Sequence, residues 1–321
     1  MSGDKLSLAV AAIRSITTEV KEFTFRNANG VSLPSYSPGA HLRFTLEAGS
    51  TRHDRCYSLL DAGNSSNLYR IAVHRSRQSR GGSAFLCEQV AVGDVLECTA
   101  PRNDFPLSKD ADHHVLIAGG IGITPILAMA KALHGAGSSY ELHYVARRAE
   151  AMPYCDDVVS RFGPLARLYF DHGEPARGMP ISDIIGVPEK GRHLYVCGPQ
   201  AMIDATLGFA SERGWERDAV HFELFANAPR EDDEQIELQL ARSQRTVRVA
   251  PTESLLDALL RDGLDLLYDC RRGECGVCAV NVIDGIPDHR DYALSDAQKA
   301  ANGTICLCVS RAKTATLKLD L

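Results

Sequence analysis

Four cysteines near the C-terminus, Cys270, Cys275, Cys278 and Cys308, are spaced C-x4-C-x2-C-x29-C. Thiolates at that spacing suit a two-iron two-sulfur (2Fe-2S) cluster, with three ligands in one loop and the fourth arriving from a distant segment. The loop runs Cys270-Arg271-Arg272-Gly273-Glu274-Cys275-Gly276-Val277-Cys278, and its glycines let the backbone fold tightly and aim N–H groups at sulfur. Cysteine also fills buried cores, and paired cysteines hold structural zinc. Zinc sites usually show two compact pairs, whereas Cys306 and Cys308 are separated by one residue, so the spacing favours iron and sulfide. Cys306 as the fourth ligand would give a long spacing of 27 and is the competing assignment.

Three further stretches carry groups suited to nucleotides. Arg55-Cys56-Tyr57-Ser58-Leu59 places a guanidinium and a phenol on one strand face, since alternate residues of a strand point the same way. Alone it is equally a packed Arg–Tyr pair. It gains weight from Arg80-Gly81-Gly82-Ser83, a glycine turn opening a helix whose N–H groups can receive a phosphate. Ala118-Gly119-Gly120-Ile121-Gly122-Ile123-Thr124-Pro125 stands between a buried strand and a helix, where glycines permit close approach of a pyrophosphate. It departs from G-x-G-x-x-G, and a glycine turn used only for packing is the bland alternative. Cys197-Gly198-Pro199 ends another strand on the same expected sheet edge, so Cys197 either faces a reacting nucleotide or is a small packing residue.

These sites need a scaffold, and 321 residues suffice for two or three cored domains. Residues 1–107 are rich in short alternating β-type runs and read as an antiparallel β-barrel, interrupted by a helix from Ser83. Residues 108–226 alternate strand and helix, the pattern of a parallel sheet covered by helices. Residues 227–234, small, proline-containing and charged, have linker composition. Residues 235–321 hold a hairpin, a helix over about 254–260, the cysteine loop and closing strands, a small α+β unit. A hydrophobic content of 45% and net charge of −6 describe a soluble protein, with no basic cluster for nucleic acid. Val115 to Ala130 is too short and too rich in glycine for a membrane span. Ten cysteines without an export signal point to a reducing cytoplasm. Arg271, Arg272, His113, His114 and His289 read as solvated or turn residues.

The combination resembles the ferredoxin–NADP reductase superfamily and, within it, the three-domain reductases of Rieske oxygenase systems, across essentially the whole chain. Arg55-x-Tyr57-Ser58-Leu59 is similar to the family's flavin motif, and Arg80-Gly81-Gly82-Ser83 to its flavin-phosphate turn. The stretch Gly119 to Pro125, with Gly120, Gly122 and Thr124, is similar to its nicotinamide-nucleotide loop, and Cys197-Gly198-Pro199 to its nicotinamide-side turn. Phe225 matches an aromatic near the flavin, although Phe222 and Phe225 also suit a core. In the ferredoxin pattern the last ligand precedes valine, as Cys308 precedes Val309, which leaves Cys306 a buried thiol. The resemblance implies an FMN-binding β-barrel, an NAD-binding α/β domain and a plant-type ferredoxin (β-grasp) domain. It implies FMN, NADH and a 2Fe-2S cluster, Ser58 and Cys197 at the reacting rings, and a terminal oxygenase as electron acceptor. The residues alone leave FMN against FAD open, and with Asp171 opposing Arg147 and Arg148 they leave NADH against NADPH open too. Hydride carries two electrons and the cluster takes one, so a flavin between them is the chemically required intermediary. A monomer is expected. A redox sensor keeping both centres without turnover is the contrasting reading.

Overall fold

The computed structural model describes residues 5–48, 51–63, 67–75, 81–225, 230 and 232–321. They form two compact units, Met1–Leu224 and Phe225–Leu321.

The first unit opens with strands β1 (Lys5–Ser15), β2 (Val20–Asn27), β3 (His41–Ala48), β4 (Thr51–Ser58) and β5 (Tyr69–His74), helix α1 (Gly82–Glu88) and β6 (Val95–Thr99). Apolar residues alternate along the strands, as Leu42, Phe44 and Leu46 do on β3, so one face is dry and the other wet. The antiparallel order is β4-β3-β6-β1-β2-β5. Its ends meet where Leu59 bridges Ile71 and the Leu60 N–H donates to the Arg70 carbonyl at 3.0 Å, which closes the barrel at that end.

The same unit continues through β7 (His113–Gly119), α2 (Ile123–Ala136), β8 (Ser139–Ala146), α3 (Cys155–Phe162), β9 (Ala166–Phe170), α4 (Ile181–Ile185), β10 (Arg192–Cys197), α5 (Gln200–Glu212) and β11 (Val220–Glu223). All strand pairs of the sheet that β7 to β11 form are parallel, in the order β11-β10-β7-β8-β9. Order therefore reverses between β7 and β10, which makes the carboxyl ends of those two strands the switch point where such sheets bind ligands. Helix α2 buries nearly its whole length and stops at Gly137, whose φ of 66° only glycine adopts readily.

The second unit contains β12 (Ile236–Leu240), β13 (Arg245–Val249), α6 (Leu255–Arg261), β14 (Ala279–Asp284), β15 (Pro287–Asp288), α7 (Asp296–Ala301), β16 (Thr304–Cys306), β17 (Arg311–Ala312) and β18 (Thr316–Leu319). Its five-stranded mixed sheet runs β13-β12-β18-β14-β16. Leu255, Leu256 and Leu259 of α6 share a core with Leu238, Val249 and Leu317. Ser254 caps α6 by accepting the Asp257 N–H at 3.0 Å, and Gly263 (φ 84°) follows its end.

Several expectations need correction. His114 lies on β7, is 5% exposed and stacks on Tyr195, so it is not a surface or turn residue. His289 is also largely enclosed, 3.7 Å from Asp291. The second half of the expected linker is built into the second unit: Asp233 is buried against Arg290 and Arg311, and Arg311 donates to the Glu234 carbonyl at 2.7 Å. Charge composition alone cannot separate a solvated linker from a segment in which one carboxylate, that of Asp233, finds buried partners. Among the described residues no helix is long and apolar enough to cross a membrane.

Candidate functional site

On β4, His53, Arg55 and Tyr57 share one face, because successive strand side chains alternate. That face meets the turn before α1. A Cβ on Gly82 would lie 2.9 Å from Arg55 Cγ and Nε, and one on Gly81 would lie 2.6 Å from His53 Nε2. Gly81 also holds φ at 108°, outside the range of L side chains. The two glycines thus exist so that the guanidinium stem and the imidazole can lie against the turn. Ser83 follows in the first turn of α1. Arg80 lies outside the described residues. His53 was not singled out from the sequence, and the only signal for it was its spacing of two from Arg55.

The Tyr57 hydroxyl is buried and has no hydrogen-bond partner among the described residues. Burial drives its pKa above the ordinary phenol value, with Arg55 opposing, so it remains a protonated donor. A buried donor left without an acceptor costs about 1–3 kcal/mol. A bound polar ring system or polyol beside Arg55 would recover that cost, so these residues fit a flavin nucleotide.

Next along β4, Ser58 is 4% exposed and its Oγ donates to Glu223 Oε2 at 3.4 Å. Glu223 ends β11, pairs in register with Cys197 of β10, and is itself 1% exposed. Ser58, Cys197 and Glu223 therefore gather at the switch point. Sequence reasoning missed Glu223 because β11 is only four residues long and its single carboxylate has no motif around it.

The loop after β7 and the turn after β10 interlock. A Cβ on Gly122 would stand 2.2 Å from the Cys197 carbonyl oxygen, one on Gly119 2.7 Å from Pro199 Cδ, and one on Gly198 3.0 Å from Gly119 Cα. Packing accounts for Gly119, Gly122 and Gly198. Gly120 is different: nothing lies within 4 Å of its would-be Cβ and its φ is 52°, so its backbone stays open to an approaching group. Its carbonyl accepts from the Tyr144 hydroxyl at 3.0 Å. Thr124 is 2% exposed and donates to the Ile121 carbonyl at 3.1 Å, so this hydroxyl fixes the shape of the turn. Cys197 is fully buried within the sheet core. Asp171, just past β9, accepts the Gly173 N–H at 2.9 Å, while Arg147 and Arg148 past β8 are exposed. Phe225 is 38% exposed and Phe222 is half-buried on β11.

In the second unit the cysteine loop spans the connection from α6 to β14. Arg271 (φ 55°), Gly273 (φ 78°) and Gly276 (φ 72°) take left-handed conformations that coil it. A Cβ on Gly273 would meet Val309 Cγ2 at 2.7 Å, which explains the glycine where the loop crosses the turn after β16 that carries the fourth thiol. The Arg272 N–H donates to Cys270 Sγ at 3.3 Å. Cys308 makes thiol hydrogen bonds with both Cys270 and Cys278, and Cys306 makes one with Cys278. These contacts push the thiols apart: Cys270, held first by Cys308, and Cys278, held first by Cys306, fall below the ordinary thiol range, while Cys306 and Cys308 rise above it. Among the described residues no three thiol, imidazole or carboxylate groups converge as a single metal ion requires. Four thiols around one loop, fed by backbone N–H donors, fit a 2Fe-2S cluster. Arg271 and Arg272 are not the solvated face expected: Arg271 donates to Asp257 at 3.1 Å and lies 4.5 Å over Tyr268, and Arg272 is 7% exposed beside Glu274.

Comparison with known proteins agrees with this geometry. Residues 238–313 match the 2Fe-2S iron-sulfur cluster binding domain. The chain is 35% identical over 319 residues to a vanillate O-demethylase oxidoreductase of Pseudomonas sp. strain HR199, covering 98% of this chain and 100% of that one. The solved structure of phthalate dioxygenase reductase, described as modular for electron transfer from pyridine nucleotides to [2Fe-2S], is similar with TM-score 0.79 and 34% identity, covering 99% of this chain and 98% of that one. The chain belongs to this family of oxygenase-system reductases. The family also includes the beta subunit of a heme-dependent oxidative N-demethylase from Ectopseudomonas mendocina, 37% identical over 316 residues and matched over 98% and 99% of the two chains. In this reductase the barrel, the parallel sheet and the cysteine-bearing unit thus follow the order of the phthalate enzyme.

Proposed function

We propose that this chain is the reductase component of a Rieske-type aromatic oxygenase or O-demethylase, taking hydride from NADH and delivering single electrons to the oxygenase. Full-length agreement with phthalate dioxygenase reductase, in three successive parts that each fit their cofactor, carries the reading. FMN supplies the ability to accept two electrons and release them singly.

The chain's own residues bind and orient. Arg55, Arg80, Gly81, Gly82 and Ser83 hold the flavin phosphate by charge and N–H donation. Tyr57, Ser58 and Leu59 seat the ring, with the Tyr57 hydroxyl as donor. Gly120 receives the pyrophosphate, Gly122 lets the turn close on the Cys197 backbone, Thr124 keeps that turn in shape, and Cys197, Gly198 and Pro199 bound the nicotinamide side. Ser58, held by Glu223, orients a hydroxyl at the reacting rings, and no general base is required. Cys270, Cys275, Cys278 and Cys308 are the iron ligands; Cys308 is preferred to Cys306 because it touches both Cys270 and Cys278. None of the ten cysteines is in a disulfide, which suits a reducing cytoplasm, and the protein acts as a monomer.

The test is anaerobic addition of NADH to protein loaded with FMN and cluster. Bleaching at flavin and cluster wavelengths, with rapid reduction of a one-electron acceptor, is expected; both centres present without turnover would defeat the proposal. Similarity to the heme demethylase subunit supports a second acceptor class. NADH-coupled substrate loss, compared between Rieske and heme partners, separates the two.

A further inference from the structure

A chain of polar side chains runs between barrel and parallel sheet within the first unit. Tyr154, at the start of α3, donates from its hydroxyl to Glu22 Oε2 of β2 at 2.9 Å, across 132 residues. Glu22 also lies 3.4 Å from Arg14 and 4.0 Å from Arg70. Arg70 of β5 grips Asp61 with both arms of its guanidinium, one bond being 2.8 Å. Lys131 of α2 closes the chain, reaching Asp61 Oδ1 at 3.1 Å and the Leu60 carbonyl at 2.9 Å.

One end of this chain is placed where the chemistry is. Leu60 and Asp61 directly continue the strand that carries Tyr57 and Ser58, and Lys131 stands two turns along the helix that opens at the Gly120–Gly122 turn. Glu22 and Tyr154 are 5% and 7% exposed, so this is not a surface pair. Tyr154 accepts a left-handed backbone (φ 61°, ψ 23°), unusual for a bulky residue, and from there delivers its hydroxyl to Glu22. Burial would raise the Asp61 carboxyl, yet the Arg70 hydrogen bonds and the Lys131 charge outweigh it and hold the group below the ordinary range. The apolar contact beside it, Val20, Leu60 and Ala72 against the core of α2, supplies adhesion without register. Buried ion pairs add little net stability compared with apolar packing, and their best-attested use is to select one arrangement.

We propose that Tyr154, Glu22, Arg70, Asp61 and Lys131 form a positioning network that sets the spacing between the flavin strand and the nicotinamide loop, and so the rate of hydride transfer. The inference rests on the reading of the function above. Reacting atoms must approach to about 3–3.5 Å, and a displacement of about 1 Å costs on the order of a hundredfold.

The test uses full-length protein loaded with FMN and cluster. Tyr154→Phe, which removes one hydroxyl, Lys131→Met and the double variant are compared with Lys131→Arg. Flavin bleaching at saturating NADH is expected to slow about tenfold in each single variant and about a hundredfold in the double. The primary deuterium isotope effect should rise, because hydride transfer becomes the slower step, while KM for NADH, FMN content and the flavin midpoint potential stay at wild-type values. Lys131→Arg should recover most of the rate. An unchanged bleaching rate in the double variant, or a loss merely proportional to FMN lost, overturns the proposal. Wild-type protein that NADH does not reduce would defeat the functional reading first, and this proposal with it.

Discussion

Ser58 and Glu223, 165 residues apart, meet at 3.4 Å where the closing strand of the barrel touches the edge strand of the parallel sheet. Neither side chain reaches water appreciably, so the contact ties the flavin strand to the carboxyl end of β11. A buried carboxylate holding one hydroxyl fixes the direction in which that hydroxyl points.

Ser58→Ala and Glu223→Ala are each expected to slow flavin reduction by NADH by about ten- to a hundredfold, equivalent to about 1.4–2.8 kcal/mol of barrier. Because the two act as one unit, the double variant should be no worse than the poorer single one. Stopped-flow absorbance measures the rate, and fully additive losses would contradict the shared role. The cluster spectrum should not change.

Cys308→Ser should lose cluster iron and visible colour, whereas Cys306→Ser should retain both. Cys308 contacts Cys270 and Cys278; Cys306, fully buried on β16, contacts Cys278. Iron and sulfide analysis after anaerobic reconstitution decides it, and the opposite pattern would move the fourth ligand to Cys306.

Acid should destabilise the first unit through His221. Burial, reinforced by the neighbouring His193, lowers its pKa from 6.5 to about 4, with Asp218 opposing and His114 adding to the depression. Its neutral ring stacks on Tyr195 at 4.5 Å and lies 3.0 Å from His193. Between those two pH values the unfolded chain binds the extra proton, so stability is full above about pH 6.5 and declines as pH falls toward 4. Thermal unfolding across that window should show a smaller decline in His221→Phe than in wild type; equal slopes would exclude this residue as the cause.

Asp233→Ala should selectively weaken the second unit. The variant leaves Arg311 and Arg290 buried with less countercharge, a change of about 3–5 kcal/mol for a broken buried pair, reduced here because Asp288 still faces Arg290. Urea unfolding followed at cluster absorbance should shift to lower urea, while flavin absorbance reports an unaffected first unit. No shift would mean that the segment 232–234 is held by its backbone bonds alone.

Much was legible in the amino-acid order because it is written in local spacing. Cysteine intervals, strand alternation of period two, and glycines at strand ends constrain neighbours in the chain, and the antiparallel barrel, the parallel sheet and the cysteine-bearing unit are legible from them. Gly81 and Gly82 were readable as a turn for the same reason. Glu223, His53 and the Tyr154–Glu22 contact were not, since each matters through a partner far away in sequence that only folding brings near. The charge of Asp233 looked solvated, and those of Arg271 and Arg272 looked free, because a sequence records charge but not burial. Residue type and interval thus determined that this chain can hold a cluster and nucleotide cofactors, while the tertiary structure alone decided how their binding elements are fastened together, because desolvation and long-range pairing exist only once the chain has closed on itself.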